Sequence, residues 1–140
     1  MGTRRKARII AFHALFSWEF EHLSATELCN FSWLDDEKKK SLSNEITAFA
    51  SLLISGTLEN IIAIDSEIRK KLVHWDFNRL SKVDLSILRM SVFSLLFQKD
   101  IPVSVTIDEA IDIAKKYGSD DSYRFVNGVL DGIRKSHNLL

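Results

Sequence analysis

Arg4, Arg5, Lys6 and Arg8 put four positive charges near the start of the chain, and the stretch TRRKARIIAFHALFSW, residues 3–18, contains no acidic residue. On a helix turning about 100° per residue, Ala7, Ala11 and Trp18 form one face. Arg5, Phe12 and Phe16 then gather about 120–160° away, with Arg8 near the boundary. Phenyl rings beside guanidinium groups suit single-stranded RNA, because rings stack on splayed bases while arginines track phosphates or stack themselves. The same spacing also fits Phe12 and Phe16 packing on another helix, with the arginines at a solvated helix end. An arginine-rich amphipathic start is also how a transit peptide reads. Against targeting, no small-residue cleavage pattern follows, and Lys6 occupies the position where myristoylation wants Ser or Thr.

Other chemistries find little support. His13, His22, His74 and His137 have no second ligand at metal spacing, so no metal site is expected. Asp108, Glu109 and Asp112 read as acids at the start of a helix, paired with Lys115 and Lys116 one turn on. No phosphate-binding glycine loop, nucleophile elbow or histidine-containing triad occurs, so neither an enzyme nor a cofactor is expected. Formal net charge is zero, which confines any affinity for a polyanion to a local patch. The single cysteine, Cys29, can form no internal disulfide and reads as a small packed side chain in a reducing, cytoplasmic setting. No apolar run is long enough for a membrane span.

The elements that must carry these residues are helices. With 46% hydrophobic residues in 140 and a single proline, the chain reads as one domain, residues 1–140. Three-and-four spacing of Ala7, Ala11, Ala14, Leu15 and Trp18 predicts a helix over 3–21. Ser24 and Glu27 make a capping-box signature for a short helix through Cys29. WLDDEKKK reads as a turn, followed by a helix from Leu42 to about Ser55, with Gly56 as its stop or a close-packing point. A further helix spans 58–72, and HWDFNRLS connects it to one carrying Val83, Ile87, Leu88, Val92, Leu95 and Leu96. That helix ends before Pro102. PVSVT is too short and isolated to make a sheet. Asp108–Tyr117 forms a helix closed by Gly118 as a left-handed cap, and Ser119, Asp120 and Asp121 supply caps for the last helix. Gly128 and Gly132 in that helix read as points of close approach by another helix. The fold class is all-α, with about six or seven helices.

Three stretches carry a family resemblance: RRKARIIAFHALFSW, RLSKVDLSILRMSVFSLL, and IPVSVTIDEAIDIAKKYGSDDSYRFVNGVLD. They resemble the NusB family of bacterial transcription antitermination factors over nearly the whole chain, least between about Glu21 and Leu42. The run IDEAIDIAKKYG followed by FVNGVLD is the most specific piece. The resemblance implies a single domain made of two small helical bundles. It implies binding of boxA RNA in nascent ribosomal transcripts together with a small-subunit ribosomal protein, NusE, so that RNA polymerase and other Nus factors pass terminators. Without RNA binding of its own, the chain would be a helical protein-interaction module, and the sequence leaves monomer and homodimer both open. Carried over by position, the RNA-binding residues are Arg4, Arg5, Lys6, Arg8, Phe16, Asp121 and Phe125, and Asp84 is the partner-binding residue. Phe16 stands where the family commonly has tyrosine, which keeps a stacking face and loses a hydroxyl. Asp84 replaces the commoner glutamate, which shortens its reach by one methylene.

Overall fold

The computed structural model describes residues 2–74 and 76–140; Trp75, in the predicted HWDFNRLS connection, lies outside the described residues. Among the described residues there are eight α-helices, one 3-10 turn and no strand, so the all-α class holds with more helices than the sequence predicts. Contacts divide the chain at Glu59/Asn60 into two compact units.

The first unit holds α1 (Thr3–Glu21), α2 (Ala25–Cys29), α3 (Asp36–Lys40) and α4 (Asn44–Glu59). α1 ends where His22 turns left-handed, φ 53°, and donates its N–H to the Trp18 carbonyl. α2 opens with the predicted capping box: Ser24 Oγ accepts from Glu27 N at 3.1 Å, and Ser24 N donates to Glu27 Oε1 at 3.2 Å. The WLDDEKKK turn contains a helix, α3, whose start is fixed by Lys38 N donating to Asp35 at 2.8 Å. Acids in its first turn and lysines in its last complement the helix dipole, but none of its residues is buried. Hydrophobic periodicity therefore has nothing to detect there. Gly56 does not stop α4, which continues to Glu59 with Gly56 buried. α1 packs on α4 and α2 on α4. Ala7, Ala11 and Ala14 on α1 and Ala50 on α4 are fully buried, and such small side chains let helix axes approach closely.

The second unit holds α5 (Ile61–Lys70), the 3-10 turn Phe77–Arg79, α6 (Lys82–Phe97), α7 (Val103–Tyr117) and α8 (Ser122–Ser136). α6 is its axis, in contact with α5, α7 and α8. Every residue from Leu85 to Leu95 is buried, as a helix surrounded on all sides requires. Two of its serines are satisfied locally: Ser86 Oγ donates to the Lys82 carbonyl at 2.7 Å, and Ser94 Oγ to Gln98 at 2.6 Å. Arg89 donates twice to Asp65 of α5, both at 2.9 Å.

Four local predictions in this unit need correction. α7 begins at Val103, not Asp108, because Pro102 sits just outside its first turn, where the missing N–H and fixed φ cost nothing. PVSVT is accordingly helical for the most part. Gly118 is extended, φ −91° and ψ −173°, instead of left-handed. Its glycine is required by space: a Cβ there would sit 2.5 Å from Ser122 Cβ and Oγ and 2.8 Å from the Ala114 carbonyl oxygen. Asp121 precedes α8 without a side-chain cap, and it is Ser122 Oγ that accepts from Ser119 N, at 3.0 Å. The predicted close helix approach at Gly128 and Gly132 is also absent. A Cβ at Gly128 meets nothing within 4 Å, and one at Gly132 meets only the Lys71 side chain, at 3.2 Å.

Candidate nucleic-acid interface

On α1 the buried positions are Ala7, Arg8, Ile10, Ala11, Phe12, Ala14 and Leu15, which span an arc of about 200° at 100° per residue. The single-face wheel predicts a narrower arc, so it misplaces residues at the edges. Phe12, at the edge of that arc, is 2% exposed and belongs to the core; Trp18 falls inside the arc yet is only half-buried, in the last turn of the helix. Arg8 is 5% exposed. Arg4 and Arg5 are exposed, and Lys6 is half-buried.

Two of the four cations share one aromatic ring. The guanidinium carbon of Arg4 lies 5.0 Å from the centroid of Phe49 on α4, and that of Arg8 lies 5.3 Å from the same centroid. Both distances fall within the roughly 6 Å at which a cation is attracted to a ring face. Phe49 is half-buried, and nothing in the α1 pattern points to it, because the pairing depends on how α4 packs.

Phe16 is half-buried in a ladder of rings along its own helix. Phe12 lies 6.5 Å from it, and Phe20 lies 4.9 Å away in an edge-to-face arrangement at 61°. Phe20 is 59% exposed, so the ladder runs from the core at Phe12 to solvent at Phe20. Phe16 thus retains an accessible portion while two neighbours fix its ring. Such edge-to-face pairs are worth about 0.5–1.5 kcal/mol beyond area burial.

In the second unit, a cavity of about 320 Å³ is lined by Arg79, Leu80, Ser81, Asp84, Ser119, Asp121, Ser122 and Phe125. The start of α6 supplies one wall: Asp84 N donates to Ser81 Oγ at 3.1 Å, which sets the first turn. The start of α8 supplies the other, set by the Ser119–Ser122 bond and the tight passage at Gly118. Asp121 is exposed and Phe125 half-buried. Asp84 is half-buried, and its Oδ1 is sequestered from solvent with no hydrogen-bond partner among the described residues. The family resemblance implies a protein partner for Asp84 and RNA for Asp121 and Phe125, and all three line this one cavity. Arg79, in the 3-10 turn, is a lining residue to which sequence reasoning gives no role, and Ser119 is read there only as a helix cap.

Among the described residues no three metal-ligating side chains come together, and no single helix is long and apolar enough to cross a membrane. Cys29 is half-buried, with Sγ 3.5 Å from Ser55 Oγ.

Residues 5–135 match the sequence model of the NusB family. The transcription antitermination protein NusB of Treponema pallidum is 52% identical over 133 residues, covering 95% of this chain and 93% of that one. The solved structure of T. maritima NusB superposes with a TM-score of 0.83 at 43% identity, covering 94% of this chain and 90% of that one. A crystal structure of antitermination factors NusB and NusE in complex with dsRNA superposes with a TM-score of 0.84 at 31% identity, covering 97% of this chain and 98% of that one. A family match over most of the chain, joined to an all-helical architecture shared with solved NusB structures, leads to one conclusion: the chain belongs to the NusB family.

Proposed function

We propose that this chain is a non-enzymatic transcription antitermination factor acting as one domain over residues 1–140. In this reading it binds boxA RNA of nascent ribosomal transcripts jointly with the ribosomal protein NusE, and the complex engages RNA polymerase with other Nus factors. The observation that carries the reading is the first turn of α1, where exposed Arg4 and Arg5 and half-buried Lys6 stand on the same helix as the partly accessible ring of Phe16. Arg4, Arg5 and Lys6 meet phosphates, Arg8 supports them from beneath, and Phe16 stacks on a base. In the second unit, Phe125 offers a ring face and Asp121 a carboxylate acceptor for a base amine. Asp84, half-buried in the first turn of α6, receives a donor from NusE.

Charge arithmetic supports a shared grip. Three phosphate contacts to a single strand give a log–log salt slope of roughly −2, a modest electrostatic term for a chain of zero net charge. A basic partner alongside would supply the remainder. Arg5→Ala in the complex with NusE should weaken boxA RNA binding and reduce the magnitude of the salt slope by about 0.7, leaving NusE binding intact. Asp84→Lys should do the reverse. Fluorescence anisotropy with labelled RNA, with and without NusE, checks both. Loss of NusE on Arg5→Ala, or equal RNA affinity with and without NusE, would overturn the assignment.

A further inference from the structure

We propose that Phe49 is a positioning residue for the arginine motif: its ring, on α4, holds the guanidinium groups of Arg4 and Arg8 so that the basic edge of α1 is organised before RNA arrives. The inference rests on the RNA reading above and extends it to a residue outside α1.

The geometry has three parts. Arg4 and Arg8 are four residues apart and so lie one above the other on the helix. Both guanidinium carbons stand near the same ring, at 5.0 and 5.3 Å from its centroid. Their exposures differ sharply: Arg8 is 5% exposed whereas Arg4 is exposed, so the ring joins an inner cation to an outer one. α1 is brought against α4 over fully buried Ala7, Ala11 and Ala50, the last adjacent to Phe49 in sequence.

A ring has a consequence that a carboxylate at the same position would not have. It engages the face of the cation, takes none of its N–H donors and cancels none of its charge. Arg4 is therefore restrained while its donors stay available to a phosphate. An unrestrained arginine gives up rotamer freedom on binding, and restraint in advance removes part of that cost. Arg8 is too buried to track phosphate in the manner of Arg4 and anchors the inner side of the ring contact.

The test measures boxA RNA affinity of the full chain by anisotropy at several salt concentrations. Phe49→Leu keeps an apolar side chain and removes the ring face; it should weaken binding by about 3- to 10-fold, with a salt slope close to wild type because the same phosphates are met. Phe49→Tyr, which retains the ring, should stay within about 2-fold of wild type. In an Arg4→Ala background, Phe49→Leu should cost clearly less than in the wild type, since the residue through which it acts is gone. Proton resonances of the Arg4 and Arg8 side chains, displaced by the ring current, should move toward ordinary values in Phe49→Leu without RNA. Wild-type affinity in Phe49→Leu, equal weakening by Tyr and Leu, or additive losses with Arg4→Ala would each overturn the proposal. Arg5→Ala separates the two levels. If it leaves RNA affinity unchanged, the RNA reading fails; if it weakens binding while Phe49→Leu does not, the positioning role alone fails.

Discussion

Among the described residues two arginines are almost fully buried, one in each unit, and they are held in different ways. Arg89 on α6 is 6% exposed and donates to both carboxylate oxygens of Asp65, with the Phe77 ring 5.9 Å from its guanidinium carbon. Arg8 on α1 is 5% exposed and faces the Phe49 ring together with Arg4. The carboxylate neutralises its arginine and occupies two donors, and the pair ties α5 to α6. The Phe49 ring offers a face to its two cations and itself takes up no N–H donor. A buried arginine thus faces a carboxylate of the neighbouring helix in one unit and a ring of the neighbouring helix in the other.

The largest expected effect comes from breaking the tie. Asp65→Ala leaves the Arg89 guanidinium in an apolar setting without its carboxylate, which should cost about 3–5 kcal/mol in urea unfolding. Arg8→Met should cost less, about 1–2 kcal/mol, because a thioether still packs on the Phe49 ring. Equal losses for the two variants would erase the contrast between the units.

A smaller effect is read in pH. Glu67 is held below the ordinary carboxylate range first by its hydrogen bond with Lys70, 2.9 Å away, and next by its contact with His137. Its folded-state value is lowered, so its contribution to stability is fully present above the unfolded value of 4.5 and is lost as pH falls through the lower folded value. Glu67→Gln should therefore be less stable than wild type at neutral pH, and the gap should close in acid. Urea midpoints at pH 7 and about pH 3 measure it. An unchanged gap at the lower pH would show that the carboxylate's charge is not what the second unit uses there.

Legibility in the sequence follows the length scale of each cause. Helices with an apolar face declare themselves by periodicity, and the Ser24–Glu27 capping box is local enough to read directly. α3 escapes because it has caps and charges but buries nothing. The start of α7 is misjudged because Pro102 is read only as a terminator of the preceding helix, although it also fits just before a first turn. Gly118 is correctly marked as special, for the wrong reason: the constraint is a neighbour, Ser122, and not the backbone angle. Gly128 is read as a packing point, yet its Cβ position is open.

The candidate site divides in the same manner. Arg4, Arg5, Lys6 and Phe16 are legible because one helix presents them all, and the family motifs mark Asp84, Asp121 and Phe125. By itself the sequence determined the all-helical class, the family and the basic start of α1, since these depend on residues near each other along the chain. Only tertiary structure decided that Phe12 and Arg8 are inside, that Phe49 serves two arginines, that Asp65 matches Arg89, and that Asp84, Asp121 and Phe125 line one cavity. Those facts depend on which helices meet and at what distance, and a wheel drawn for one helix contains no second helix.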